Sequence, residues 1–249
     1  MQYLLSQVAR PILTRLAGQK TLCAFDFDGT LAPIVAHPNV ARLSERTRSL
    51  LELLASRYPS VVISGRARAD VLGRLTGVEL ARVIGNHGAE TELTTVKSRR
   101  RVQQWRASLE LHLLSLPGLW IEEKGLSLTV HYRLCTQKAE ARRRILKAVR
   151  NLQHVRIVGG KQVVNLVEDK APHKGDVLAA ERDRLDCDWI LYVGDDETDE
   201  DAFALKGNIV AVRIGQKQRS HARYYLRKQT EIEMLLELLC KMRPNGAVG

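Results

Sequence analysis

The sequence predicts an α/β protein: a parallel-sheet core interrupted by a smaller α+β insert. Three observations carry this. Short apolar runs without alternation, as in strands buried on both faces, alternate with amphipathic segments over residues 1–93 and again over 170–249. Between them, residues 94–169 follow the order helix–strand–strand–helix–strand–strand, which builds a small layer on an antiparallel sheet. Lastly, small polar residues collect wherever a core strand ends.

Leu4, Leu5, Val8, Ile12 and Leu16 recur every three or four residues, predicting an opening helix. Thr21 to Phe27 is a central strand ending in Asp26-Phe27-Asp28-Gly29-Thr30. A helix over Ser44 to Arg57 leads to the strand Val61-Val62-Ile63, which stops at Ser64-Gly65. Another helix and the strand Arg82 to Ile84 end at Gly85-Asn86-His87-Gly88.

In the insert, Val102, Trp105, Leu109, Leu113 and Leu116 mark a helix closed by Pro117-Gly118. Strands follow at Trp120 to Glu123 and Leu126 to Leu134. The second alternates apolar and polar residues, predicting one packed and one wet face. A helix over Lys138 to Leu152 and two strands flanking Gly159-Gly160 complete the insert. The core resumes with a helix over Lys174 to Leu185, a strand over Trp189 to Val193 ending at Gly194-Asp195-Asp196, and a strand over Ile209 to Ile214.

Composition narrows the function classes. With 45% hydrophobic and 27% charged residues, the chain has the balance of a globular protein. No apolar run approaches the roughly 18 residues that cross a bilayer, and Gln2, Tyr3, Gln7 and Arg10 break any secretory pattern. A cytoplasmic protein that engages no membrane is expected. Cys23, Cys135, Cys187 and Cys240 are widely separated, which indicates neither a zinc site nor a disulfide framework. The formal charge is +11, of which +9 falls in residues 94–169. That excess suits a small anion as well as nucleic acid. Only 5% of residues are aromatic, which leaves little for base stacking, so no nucleic-acid partner is expected.

The chemistry lies at the strand ends, where open parallel sheets bind ligands. Asp26 and Asp28, two residues apart, can converge on one point, and Asp195 would bring a third carboxylate. Their mutual repulsion calls for a cation, and an oxygen-only set favours magnesium. Gly29 would let backbone N–H groups approach an anion, while Ser64 and Lys174 add a hydroxyl donor and a positive charge. Metal-assisted phosphoryl transfer satisfies all of these groups.

The string DFDGT at 26–30, Ser64 after a strand, Lys174, and GDDETDED at 194–201 resemble the four motifs of the haloacid-dehalogenase phosphatase superfamily. Within it, Asp26 through Ile34, Ser64-Gly65-Arg66, Gly85 through Glu90, Glu122-Glu123-Lys124 and His131-Tyr132-Arg133 resemble the trehalose-6-phosphate phosphatases. The resemblance implies a Rossmann-like core with an inserted cap, bounded as 1–93, 94–169 and 170–249. It also implies magnesium-dependent hydrolysis of a sugar phosphate, trehalose 6-phosphate first; the chain itself is expected to be a monomer.

Asp26 would then be the nucleophile and Asp28 the general acid and base. Magnesium would sit on the Asp26 and Asp195 carboxylates and the Asp28 carbonyl, with Asp199 orienting that shell or Lys174. Ser64 and Lys174 would stabilise the phosphoryl oxygens. Substrate contact would fall to Gly29, Thr30, Arg66, Asn86, His87, Glu122, Lys124, His131, Arg133 and Asn165. For His87 and His131, a structural hydrogen bond is an equal alternative. Two positions depart from the family pattern: Phe27 stands where Tyr is common, and Asn165 where Glu usually reaches sugar hydroxyls. Asn165 keeps other substrates open: sucrose 6-phosphate, mannosyl- or glucosyl-phosphoglycerate, or a hexose phosphate. A phosphomutase shares the aspartyl-phosphate, and a non-catalytic module is disfavoured by the complete Asp26, Asp28, Lys174 and Asp195 set.

Overall fold

A strand with apolar side chains on both faces is stable only when both are covered, and Thr21–Phe25 is buried at every position. The computed structural model describes residues 1–35, 37–90, 96–113, 115–160 and 162–243. Its first part runs β1 (Gln2–Tyr3), α1 (Arg10–Ala17), β2 (Thr21–Phe25), α2 (Glu45–Ala55), β3 (Ser60–Ile63), α3 (Arg68–Arg74) and β4 (Arg82–Ile84). The middle holds α4 (Val96–Leu113), β5 (Trp120–Glu123), β6 (Leu128–His131), α5 (Lys138–Val149), β7 (Val155–Val158) and β8 (Val163–Glu168). The last part is α6 (Lys174–Arg184), β9 (Trp189–Gly194), α7 (Glu200–Phe203), β10 (Ile209–Ile214), β11 (Tyr224–Leu226) and α8 (Glu231–Met242).

Seven strands form one sheet in the order β1-β11-β10-β9-β2-β3-β4, and every pairing is parallel. Successive side chains of the central strands alternate between two cores. Cys23, Phe25, Val62, Leu191 and Val193 pack into a cluster with α1, α2 and α8, while Leu22, Ala24, Ile63, Ile190 and Tyr192 meet α6 and α7. From β2 the chain proceeds to β3 and β4 on one side, whereas β9, β10 and β11 spread to the other. The order therefore reverses between β2 and β9, which opens a crevice outside their carboxyl ends.

Four strands form a second, antiparallel sheet in the order β5-β6-β8-β7. Leu128, Val130, Val164 and Leu166 pack on one face against Val102, Trp105 and Leu109 of α4 and Ile145 of α5. The expected boundary at 93–94 lies outside the described residues.

Three local expectations differ from what forms. The opening helix begins only at Arg10, because Pro11 lacks an N–H and fits only a first turn. Gln2–Tyr3 instead extends the large sheet beside β11. The strand expected to reach Leu134 stops at His131: the Tyr132 carbonyl accepts the Cys135 N–H, and Leu134 is 71% exposed. Nor is the polar face of β6 wet, since Ser127 and Thr129 are buried. That face covers the crevice of the large sheet, where the Ser127 hydroxyl donates to Asn86 Oδ1 and the Thr129 hydroxyl to Asn165 Oδ1.

Candidate active site

In register, Phe25 of β2 lies opposite Val193 of β9. Asp26 and Asp195 therefore leave neighbouring strands, about 4.8 Å apart, at nearly the same level. Two glycines let the carboxylates close in. Gly29 has φ +82°, and a β-carbon there would lie 2.4 Å from Asp195 Cγ. A β-carbon at Gly194 would lie 2.3 Å from Asp199 Cγ. As a result, Asp26, Asp195 and Asp199 each place a buried oxygen within 4.8 Å of the others.

Lys174 opens α6, whose end is held by a capping box between His173 and Asp176. Its buried ammonium bridges Asp26 Oδ1 and Asp199 Oδ1, each at 2.7 Å. The Asp199 oxygens are fully committed. Oδ1 also accepts from the Tyr192 hydroxyl, and Oδ2 accepts the N–H groups of Asp195 and Asp196. Each Asp199 oxygen thus accepts two hydrogen bonds, which tie the carboxylate to Lys174 and to the Asp195 turn. The carbonyls of that same turn are gathered by Arg213 of β10, which donates to Asp195 O and Asp196 O and pairs with Glu200.

The expected trio was Asp26, Asp28 and Asp195, but Asp199 supplies the third carboxylate. The strand ends at Phe25, and residues 26–32 form a tight turn in which Gly29 N–H meets the Ala32 carbonyl. Strand alternation no longer governs Asp28, whose carboxylate takes a two-pronged bond from Arg66 at 2.6 and 2.7 Å. Arg66 also pairs with Asp70 and lies over the Phe27 ring. Phe27 is fully buried there.

Electrostatics in the cluster are unbalanced. Burial pushes the Asp26 carboxyl well above its ordinary range; Lys174 opposes this, while Asp199 and Asp195 add to it. Burial works against the Lys174 charge, yet Asp199 and Asp26 hold its pKa well above the ordinary value. Three buried carboxylates face one ammonium, all with oxygen donors and no His or Cys among them. The residues present thus fit a hard divalent cation, which would offset the excess negative charge.

A cavity of about 410 Å³ lies between this cluster and the polar face of the small sheet. Asp26, Asp28, Arg66, His87, Lys174 and Asp195 line it from the large sheet's side, and Glu122, Lys124, His131, Arg133 and Asn165 from the other. Ser64, Gly29, Thr30, Asn86 and Asp199 do not line it. Ser64 is fully buried, with its hydroxyl accepting the Arg66 N–H. Thr30 is likewise buried, and its hydroxyl has no hydrogen-bond partner. Asn86 instead fastens the two sheets together, donating to Glu90 and to the Lys124 carbonyl while accepting from Ser127.

On the small sheet, Glu122 accepts from His131 at 2.8 Å and lies 3.6 Å from Lys124 Nζ. Burial opposes the Glu122 charge, but His131 and Lys124 outweigh it and lower its pKa. Burial lowers the pKa of Lys124, against the pull of Glu122 and Asp28. Asn165 is occupied within its own sheet, accepting from Thr129 and donating to the Gly159 carbonyl. Sequence reasoning passed over Arg213, Tyr192 and Trp120. An arginine near the end of the buried strand Ile209–Ile214, and a tyrosine hydroxyl inside Trp189–Gly194, were the signals available. All four cysteines are buried and unpaired. Among the described residues no helix is long and apolar enough to cross a membrane.

The trehalose-phosphatase family model matches residues 24–229. A Mycobacterium tuberculosis protein described as an uncharacterized glycosyl hydrolase is 32% identical over 263 residues, covering 95% of this chain and 20% of that protein. The trehalose-phosphate phosphatase of the same organism is 33% identical over 211 residues, covering 77% of this chain and 53% of its own length. The chain thus spans about a fifth of the first relative and about half of the second. Among solved structures, the C-terminal domain of Candida albicans trehalose-6-phosphate phosphatase superposes with a TM-score of 0.79 at 22% identity, covering 94% of this chain and 98% of that one. At that identity the likeness establishes the fold.

Proposed function

This chain belongs to the trehalose-phosphatase family, and we propose that it hydrolyses trehalose 6-phosphate to trehalose and phosphate through a phosphorylated Asp26. The observation that carries the reading is Lys174, clamped between Asp26 and Asp199 with Asp195 beside them, at the floor of a cavity roofed by Glu122, Lys124 and His131. A phosphate reaching that floor meets an ammonium and a carboxylate positioned for attack.

The Asp26 and Asp195 carboxylates and the Asp28 carbonyl would hold magnesium, which supplies positive charge where two anions must approach each other. An Asp26 oxygen forms a bond to phosphorus while the bond from phosphorus to the sugar oxygen breaks. Asp28 gives a proton to that departing oxygen, for which one of its two oxygens must leave the bond it accepts from Arg66. Water then attacks the acyl phosphate and yields its proton to Asp28, and the Asp26–phosphorus bond breaks to release phosphate. Lys174 neutralises the phosphoryl oxygens in both steps. The division into a phosphatase core and a cap follows the two sheets, with the cap excluding bulk water.

A panel of purified sugar phosphates with detection of released phosphate tests the assignment. Trehalose 6-phosphate should give the highest kcat/KM, and Asp26→Asn should abolish turnover at an unchanged fold. A higher kcat/KM for sucrose 6-phosphate, a phosphoglycerate glycoside or glucose 6-phosphate would reassign the substrate to that compound. Transfer to a second sugar hydroxyl would make the enzyme a phosphomutase.

A further inference from the structure

Trp120 opens the edge strand of the small sheet and is 43% exposed while lining the cavity. Its ring stacks on His131 across the strand pair, with centroids 3.6 Å apart and planes 4° from parallel. His131 is fixed in turn by its 2.8 Å bond to Glu122. One face of the indole is therefore locked against an imidazole, and the ring pays little orientational entropy when something meets the other face.

The row of residues sets how far Trp120 stands from the chemistry. Lys124 reaches the large sheet's side, 3.4 Å from the Gly65 carbonyl. Glu122 is two residues back, and Trp120 two further on the same face, about 7 Å beyond Glu122. That step is about the length of one pyranose unit. Leu134 (71% exposed) and Ile34 (49% exposed) add apolar surface to the same cavity. A flat aromatic face in such a cavity suits the C–H face of a sugar ring, whose hydroxyls project sideways.

The geometry points to Trp120 as a stacking platform for the second, phosphate-distal hexose of a disaccharide phosphate. It sets the preference for a disaccharide over a monosaccharide phosphate. The inference rests on the sugar-phosphatase reading above and adds to it a specificity residue. A monosaccharide phosphate seated at Asp26 would end near Glu122 and leave the platform uncovered.

The test compares wild type, Trp120→Ala and Trp120→Phe with trehalose 6-phosphate and with glucose 6-phosphate. Trp120→Ala should raise KM for the disaccharide about tenfold, ~1.4 kcal/mol, with the loss falling on KM rather than kcat. The ratio of kcat/KM values between the two substrates should shrink by a similar factor, and Trp120→Phe should restore most of it. Titrating trehalose into the wild type should quench tryptophan fluorescence, and Trp120→Phe should remove that quench. Equal losses on both substrates, or an unchanged KM, would reduce Trp120 to a support for His131 and overturn the inference while leaving the function intact. A wild type that hydrolyses glucose 6-phosphate and no disaccharide phosphate would overturn both.

Discussion

His87 shows how a single side chain can be committed to one protonation state. Asn86 and His87 both adopt left-handed backbone, with φ of 51° and 59°, so the loop turns sharply beneath the cavity. Burial, then the charges of Lys174, Lys124 and Arg156, push the imidazole well below its ordinary value of 6.5. The folded protein therefore keeps His87 neutral under conditions in which the unfolded chain binds a proton. Stability attributable to this group is complete above about pH 6.5 and declines as pH falls toward the folded-state value, by at most ~1.4 kcal/mol per pH unit. Urea denaturation between pH 7 and 5 should show this decline, and His87→Asn, which tolerates the same backbone, should flatten it. An unchanged slope in the variant would assign the decline to other groups. The motif residues themselves were legible in sequence because each is a polar residue stranded at the end of an apolar run. Their partners were not: nothing local says that Asp28 is gripped by Arg66, or that Asp199 saturates both oxygens.

Among the elements, the pairing of β2 with β9 does the most to build the site, since it aligns strand ends that are 169 residues apart in Asp26 and Asp195. The turn after β9 depends on β10 for its shape, because Arg213 ties down the carbonyls of Asp195 and Asp196. Arg213→Met should weaken magnesium binding about tenfold, measured by calorimetry on the protein without substrate, with the circular dichroism spectrum retained. Wild-type affinity in the variant would mean that Asp199 alone holds the turn. The strong elements, β2, β3, β9 and α2, were plain from apolar runs and periodicity. Short edge strands were not: β1 has two residues and β11 three, too few to carry any period. The polar face of β6 was misjudged for a related reason. Alternation says which residues share a face, but a second sheet decides whether that face is wet.

At the scale of the molecule, two sheets enclose one cavity and the charge is divided between them. The arginine runs at 99–101 and 142–144 lie on α4 and α5, exposed except for Arg101, which is half-buried and paired with Glu168. Those helices cover the face of the small sheet that is turned away from the cavity. Arg143 and Arg144 are paired with Glu140. Among the described residues, only Lys124 and Arg133 carry positive charge from the small sheet's segment into the cavity. The +9 excess of residues 94–169 is thus largely a solvated helical surface, and the charge that faces the cavity is local. Composition exposed the excess, but only the fold separates the part that faces the cavity. All of the proposed chemistry requires phosphorus to pass through Asp26. Rapid acid quenching of the enzyme during turnover of trehalose 6-phosphate, followed by peptide mass spectrometry, should find one phosphoryl group on the peptide containing Asp26. A phosphoryl group on another residue, or full turnover by Asp26→Asn, would contradict the account.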